Sequence, residues 1–395
     1  MRQLLNILIL LGVGMNGHAA SVKFQFYGTD LNVNAKTNGF PSIEFDTANV
    51  KKIMLDIDKE DFFVNTIRDC QALKEKLHLN DWGYFVMLED FSNSYANKYT
   101  KSPELSKLIM TYLCIKSGYD IVWGLTSDNK IALFYTAEGF VLNTPYITNK
   151  DKTYFYYQRK GKQNGAQLGQ MLIKSMNLGN KKVDFTLLTL PLLHQDMTDT
   201  IIHKTNFLKG WDIKIRVNKN LINFYKDYPI SIGEKNFITK FTKLAESPLS
   251  QEVKAQIYPK IKTLMSGQDQ LTNVNNLLHW IQYGFEYMLD EKVWGGDRPF
   301  FPEETLYYPY CDSEDRACLF ARLVTDLLGL KTICLYSKKI YHLTIGIHFT
   351  DQEVEGESYM YDGEKYIICD PTYYGANAGK VLKKWETTEV GPIVR

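Results

Sequence analysis

The chain has almost no net charge. Its 46 Lys and Arg stand against 45 Asp and Glu, a formal +1 over 395 residues. That excludes a general binder of nucleic acid or of anionic membranes, which needs concentrated basic charge. No apolar run is long enough to cross a bilayer. There is no CxxC pair, no HExxH and no EF-hand loop, so a metal site has no ligand spacing to support it. GxGxxG and GxxxxGKS/T are missing too, and the polar stretch from Gly161 to Gly169 is therefore not a phosphate loop. Cysteine is sparse: Cys70, Cys114, Cys311, Cys318, Cys334 and Cys369. An even number permits disulfides in an exported protein, yet a chain of this length builds its core without staples. Cys114 and Cys318 fall in helical segments and read as buried free thiols.

What is present is ordinary for a soluble globular protein of one to three domains, 45% hydrophobic and 23% charged. Tyrosine (26) and phenylalanine (21) are abundant, and scattered aromatics of this kind pack in strands; stacking on carbohydrate or peptide is the sharper alternative. The first 20 residues read as a secretory signal: Arg2, an apolar run from Leu4 to Val13, and Gly17-His18-Ala19 as a small-x-small cleavage pattern. The run is too short for a membrane span. Export to the periplasm or the exterior is expected.

Residues 21–150 read as an N-terminal α/β domain. Val22 to Tyr27 alternates, Asn38-Gly39 marks a turn, and helical periodicity runs through 59–79, 82–91 and 102–116. Ser102 and Pro103 open the last of these helices and Gly118 closes it. Residues 151–225 read as a β-rich domain, from Tyr154–Tyr157, Lys182–Leu190 and Trp211–Val217. Residues 226–395 form a C-terminal domain with lead-in helices, including one over 271–289. Its central helix runs from Ser313 to Leu328, and Gly329 closes it. Strands are expected at Thr332–Tyr336, Tyr341–Phe349, Glu357–Tyr361 and Lys365–Asp370. The fold class is α+β. An internal repeat is also legible: Ser102 to Gly118 and Ser313 to Gly329 have equal lengths, and Asn143-Thr144-Pro145-Tyr146 echoes Asp370-Pro371-Thr372-Tyr373. The histidine does not repeat, because Ile131 stands where the offset would place His342.

Three positions near the C-terminus could carry chemistry. Alternation in Tyr341–Phe349 sets Tyr341, Leu343, Ile345, Ile347 and Phe349 on one face and His342, Thr344, Gly346 and His348 on a polar, exposed one. A general base belongs on such a face; His348 reads as structural. Asp370 ends an apolar strand, where an acid can orient a neighbouring imidazole; otherwise Asp-Pro only starts a turn. Ser313 opens the central helix, where the dipole and free N–H groups would favour a nucleophile or an oxyanion. His342 follows Ser313 by 29 residues and Asp370 follows His342 by 28.

This order of helix, His strand and Asp strand resembles the core of the transglutaminase-like and papain-like cysteine hydrolases. Trp280 to Tyr287 (WIQYGFEY), Asp290, Pro302 to Leu306 and Leu327-Leu328-Gly329-Leu330 are similar to bacterial transglutaminase-like proteins, and the whole chain resembles exported proteins of Bacteroides-type bacteria. The resemblance implies a capped helix packed on an antiparallel sheet at the C-terminus; the internal repeat would make residues 21–150 a degenerate copy, or else it only reflects two capped amphipathic helices that each precede a strand. It implies amide hydrolysis or acyl transfer on a peptide or protein of the cell envelope, with no cofactor. It departs at the nucleophile, where Cys is expected and Ser313 stands. Three readings stay open: Ser313 attacks, with His342 as base and Asp370 orienting it; Cys311 replaces the lost thiol from outside the helix; or Ser313 is an N-cap and the protein is a catalytically inactive binder or scaffold. Trp294 would line the cleft or simply pack.

Overall fold

The computed structural model describes residues 19–40, 49–100, 102, 105–126, 130–159, 172–175, 179–233 and 236–393. The expected signal sequence up to His18, Pro103 at a helix start, and the stretch from Gly161 to Gly169 lie outside them. The protein is mixed α+β with antiparallel sheets and divides into two compact units. The first runs to Ala137 and takes in Asn143–Asp184 and Leu192–His194; the second holds Glu138–Leu142, Phe185–Pro191 and the rest from Gln195. No helix among the described residues is long and apolar enough to cross a membrane.

The first unit opens with the hairpin Ala19–Phe26 and Thr29–Lys36, whose alternation buries Val22, Phe24, Phe26, Leu31, Val33 and Ala35. Helices Val50–Lys59, Val64–Lys76, Asp81–Tyr95 and Leu105–Lys116 follow. Asn80 caps the third by accepting from Gly83 N at 3.1 Å. Gly118, at φ +92°, ends the fourth in the left-handed region that only glycine enters without penalty. A five-stranded antiparallel sheet comes next, in the spatial order Tyr146–Asn149, Lys152–Tyr156, Ile131–Tyr135, Ile121–Leu125, Leu172–Ser175.

The β-rich region expected at 151–225 is therefore not one body. Its first strands belong to the first unit's sheet: Lys152–Tyr156 lies between Tyr146–Asn149 and Ile131–Tyr135, and Leu172–Ser175 forms the edge beside Ile121–Leu125. Its later strands, Ile201–His203 and Ile213–Ile215, pair with each other inside the second unit.

In the second unit, helices Thr239–Glu246, Gln251–Met265 and Gln270–Gly284 lead to the central helix Ser313–Leu328. The helix expected over 271–289 stops at Gly284; Glu286–Tyr287 is instead a short strand, parallel to Tyr310–Cys311. Gly329 (φ +68°) caps the central helix through its N–H to Thr325 O. Five antiparallel strands follow, in the spatial order Ser358–Tyr361, Glu364–Cys369, His342–His348, Lys331–Ser337, Glu389–Pro392. Numbered along the chain within each sheet, both units have the strand order 3-4-2-1-5 behind a glycine-ended helix. The registers agree as well: Leu125 faces Ile131 at the turn of the first unit's central hairpin, and Ser337 faces His342 at the turn of the second's.

The faces of the second sheet decide where the site lies. Thr332, Cys334 and Tyr336 point toward the helices: Thr332 Oγ1 is 3.3 Å from Thr325 Oγ1, and Tyr336 packs on Phe237 and Phe241. By register, Leu343, Ile345 and Ile347 share that face. The opposite face carries Ile333, Leu335, Tyr366, Ile368 and, from the edge strand, Val390, and is covered by Val381 and Trp385.

Candidate functional site

His342 opens its strand directly opposite Ser337, and so stands on the face covered by Val381 and Trp385. The polar face that alternation predicts is real, but it is buried rather than exposed. His342 is 7% accessible, and Ser337 and Thr344 are fully buried. The reason is the segment after Ala376, which has no periodicity to announce it and folds across the sheet. Its indole at Trp385 meets the His342 ring edge-on at 6.2 Å.

Asp370 is 1% accessible and accepts from three directions. His342 Nε2 is 2.9 Å from Oδ2, while Oδ1 takes Thr372 N at 2.8 Å and Tyr373 N at 3.2 Å. The carboxylate thus makes both the turn that Asp-Pro announces and the imidazole contact. His342 also lines an open cleft of about 330 Å³ with Ile340, Leu382, Lys383 and Lys384. Gln282, fully buried, holds the loop behind. Its Nε2 donates to Asp370 O at 3.0 Å and to Ala376 O at 3.1 Å, and its Oε1 accepts from Gly375 N at 3.1 Å.

The two nucleophile candidates are engaged elsewhere. The helix N-cap is Asp312, not Ser313, because the Asp312 carboxylate accepts from Glu314 N at 3.2 Å and Asp315 returns the bond from Asp312 N at 3.1 Å. Ser313 sits one residue inside, with Oγ bonded to Glu314 Oε2 at 3.1 Å and no bond to His342. Its helix packs on the sheet face away from the one that carries the imidazole. Cys311 is 2% accessible, its Sγ lying 3.7 Å from Glu286 O and 3.4 Å from Arg316 Nε. Burial pushes its thiol up to about 12, with Arg316 opposing. His342 and Asp370 are therefore brought together, and neither Ser313 nor Cys311 is bonded to them.

The helix start is also crowded with acid. Burial, aided by neighbouring carboxylates, drives Asp312 and Asp315 well above the usual carboxylate range, and Asp290 up to about 7. Asp315 further takes Phe300 N at 2.8 Å. The N–H groups of Asp312 and Glu314, which would hold an oxyanion, are already satisfied.

Trp294 packs against Tyr308 and under the Arg298 guanidinium, 4.3 Å from its ring, and does not line the cleft. His348 Nδ1 contacts Lys365 O at 3.0 Å, a structural role. All six cysteines are buried and free. Sequence reasoning missed Gln282, Trp385 and the two lysines. Only Gln282 lay in a stretch that stood out, and nothing in its spacing marks the loop it grips.

No protein-family model, curated protein or solved structure matches this chain.

Proposed function

We propose that this is an exported transglutaminase-like protein whose cleft binds a peptide or protein of the cell envelope without turning over an amide. The observation that carries the reading is the separation of the partners. The imidazole lies on one face of the sheet, and the helix that should present the nucleophile packs on the other. Ser313 is held by Glu314, and Cys311 is a buried thiol whose raised pKa keeps it protonated at neutral pH, whereas thiolate is the attacking form. The N–H groups of Asp312 and Glu314 at the helix start are already bonded to carboxyl oxygens and are not free to hold an oxyanion. A degenerate copy of the same fold begins within residues 21–150 and needs the strands up to Ser175 to complete it, since only then does the strand order repeat, with Ile131 in place of His342.

Amide hydrolysis or acyl transfer is the second reading, and one observation favours it. The buried His342–Asp370 pair is the arrangement that orients an imidazole for proton transfer. Thiol-directed and serine-directed amide probes separate the two. Binding without turnover predicts no labelling of Cys311 or Ser313 in the folded protein. Labelling of either that disappears in His342→Ala reverses the conclusion.

A further inference from the structure

We infer that the cleft beside His342 is a carboxylate site, built to take the free C-terminal carboxylate of a short peptide. The inference rests on the binding reading above and names the chemistry of the occupant.

The charge around the cleft is uneven. Lys383 and Lys384 line it, and Lys338 and Lys339 precede its lining residue Ile340 in the chain. Lys338 is neutralised by Glu389, and Lys339 by Glu386 at 3.3 Å. Lys383 and Lys384 line the cleft and have no carboxylate partner among the described residues. In a chain with a net charge of only +1, this is local positive charge left uncompensated. Asp370 is engaged with His342 and two backbone N–H groups and makes no ion pair with either lysine.

The lysines are also held in place. Trp385 N donates to Leu382 O at 2.8 Å, closing a tight turn with Lys383 and Lys384 at its tip. The segment is pinned on one side by Gly379 N to Ile368 O at 2.8 Å, and on the other by Thr388 N to Tyr336 O at 2.9 Å. His342 is fixed from behind by the contact of its Nε2 with Asp370, so the ring stands as a rigid wall beside the two lysines. Two ammonium groups carried on one fixed turn suit the two oxygens of a carboxylate.

Size and lining narrow the ligand further. A cleft of about 330 Å³ is at the small end of ligand pockets and admits a terminal residue rather than a long segment. Ile340 and Leu382 supply apolar contact for a small aliphatic side chain beside the charge. The surroundings have donor capacity to spare: Trp385 Nε1, Ser337 Oγ and Thr344 Oγ1 on the same face are buried with no hydrogen-bond partner among the described residues.

Calorimetry on the full chain at low salt tests the inference, with N-acetyl-dialanine, its C-terminal amide and inorganic phosphate as probes. The free acid should bind about tenfold tighter than the amide or phosphate, the increment of one charge-assisted contact. The double variant Lys383→Gln/Lys384→Gln, confined to an exposed turn, should bring the acid down to the affinity of the amide. Equal binding of acid and amide, phosphate binding as tightly as the acid, or no heat from any probe would overturn it. Chromatography of the same samples keeps the two claims apart. Release of ammonia or alanine defeats binding without turnover, and the affinity ratio alone decides the carboxylate site.

Discussion

Replacing Gln282 with Glu changes one NH2 group for an oxygen in a side chain with no exposure, and the consequences can be followed bond by bond. The native amide donates at 3.0 Å to Asp370 O and at 3.1 Å to Ala376 O. A carboxylate there loses both donors and faces two carbonyl oxygens. A buried acceptor left without its donor costs about 1–3 kcal/mol, so two cost roughly 2–6 kcal/mol. The bond from Gly375 N to Oε1 survives. The new acid can also take up a proton and restore one of the two donors, so burial and the facing carbonyls raise its folded pKa above its unfolded value. The folded state then binds the proton more tightly than the unfolded one, and stability falls as pH rises between those two values. Urea denaturation of Gln282→Glu should show a loss of at least about 2 kcal/mol at pH 8 and a smaller loss at pH 5, with Gln282→Leu giving a loss that does not change with pH. A loss below about 1 kcal/mol at pH 8, or one equal at the two pH values, would refute the role assigned to this side chain.

Asp290 and Glu303 are raised by burial to about 7, so the native chain should itself lose stability as pH climbs from about 4 to 7, and Asp290→Asn should flatten that slope in urea melts at pH 5 and 8. Cys311, protonated and buried beside Arg316, should resist iodoacetamide at pH 8 until the protein is unfolded; stoichiometric alkylation of the native chain would contradict its placement. Gly329→Ala places a Cβ at φ +68° and should cost about 1 kcal/mol in the same melts, with no effect on the affinity of the cleft.

The elements of the last unit were legible where a local signal exists. Apolar periodicity and Gly329 fixed the central helix between Ser313 and Leu328, and alternation located the strand of His342. Alternation also sorted His342, Thr344 and Gly346 onto one face. It could not say what covers that face, because Val381 and Trp385 arrive from a stretch without periodicity and meet the sheet only through long-range packing. The N-cap was misplaced by one residue, since Asp312 and Ser313 are both good caps and the capping box with Asp315 decides between them. The middle region failed for a different reason. Its residues do favour strands, but a strand belongs wherever an open edge accepts it: the first of them join the sheet begun at Ile121, and Ile201–His203 and Ile213–Ile215 pair with each other in the second unit.

The shared 3-4-2-1-5 strand order has a consequence for how the chain is made. In each sheet the first strand to be synthesised, Ile121–Leu125 or Lys331–Ser337, acquires one neighbour from the adjoining hairpin and waits for the other until the fifth strand, Leu172–Ser175 or Glu389–Pro392, has emerged. Through that interval a row of backbone donors and acceptors stands open, the kind of edge that recruits strands from other chains. A nascent or truncated chain lacking either late strand is therefore most prone to aggregate along Ile121–Leu125 or Lys331–Ser337, and completion of each sheet is also its protection.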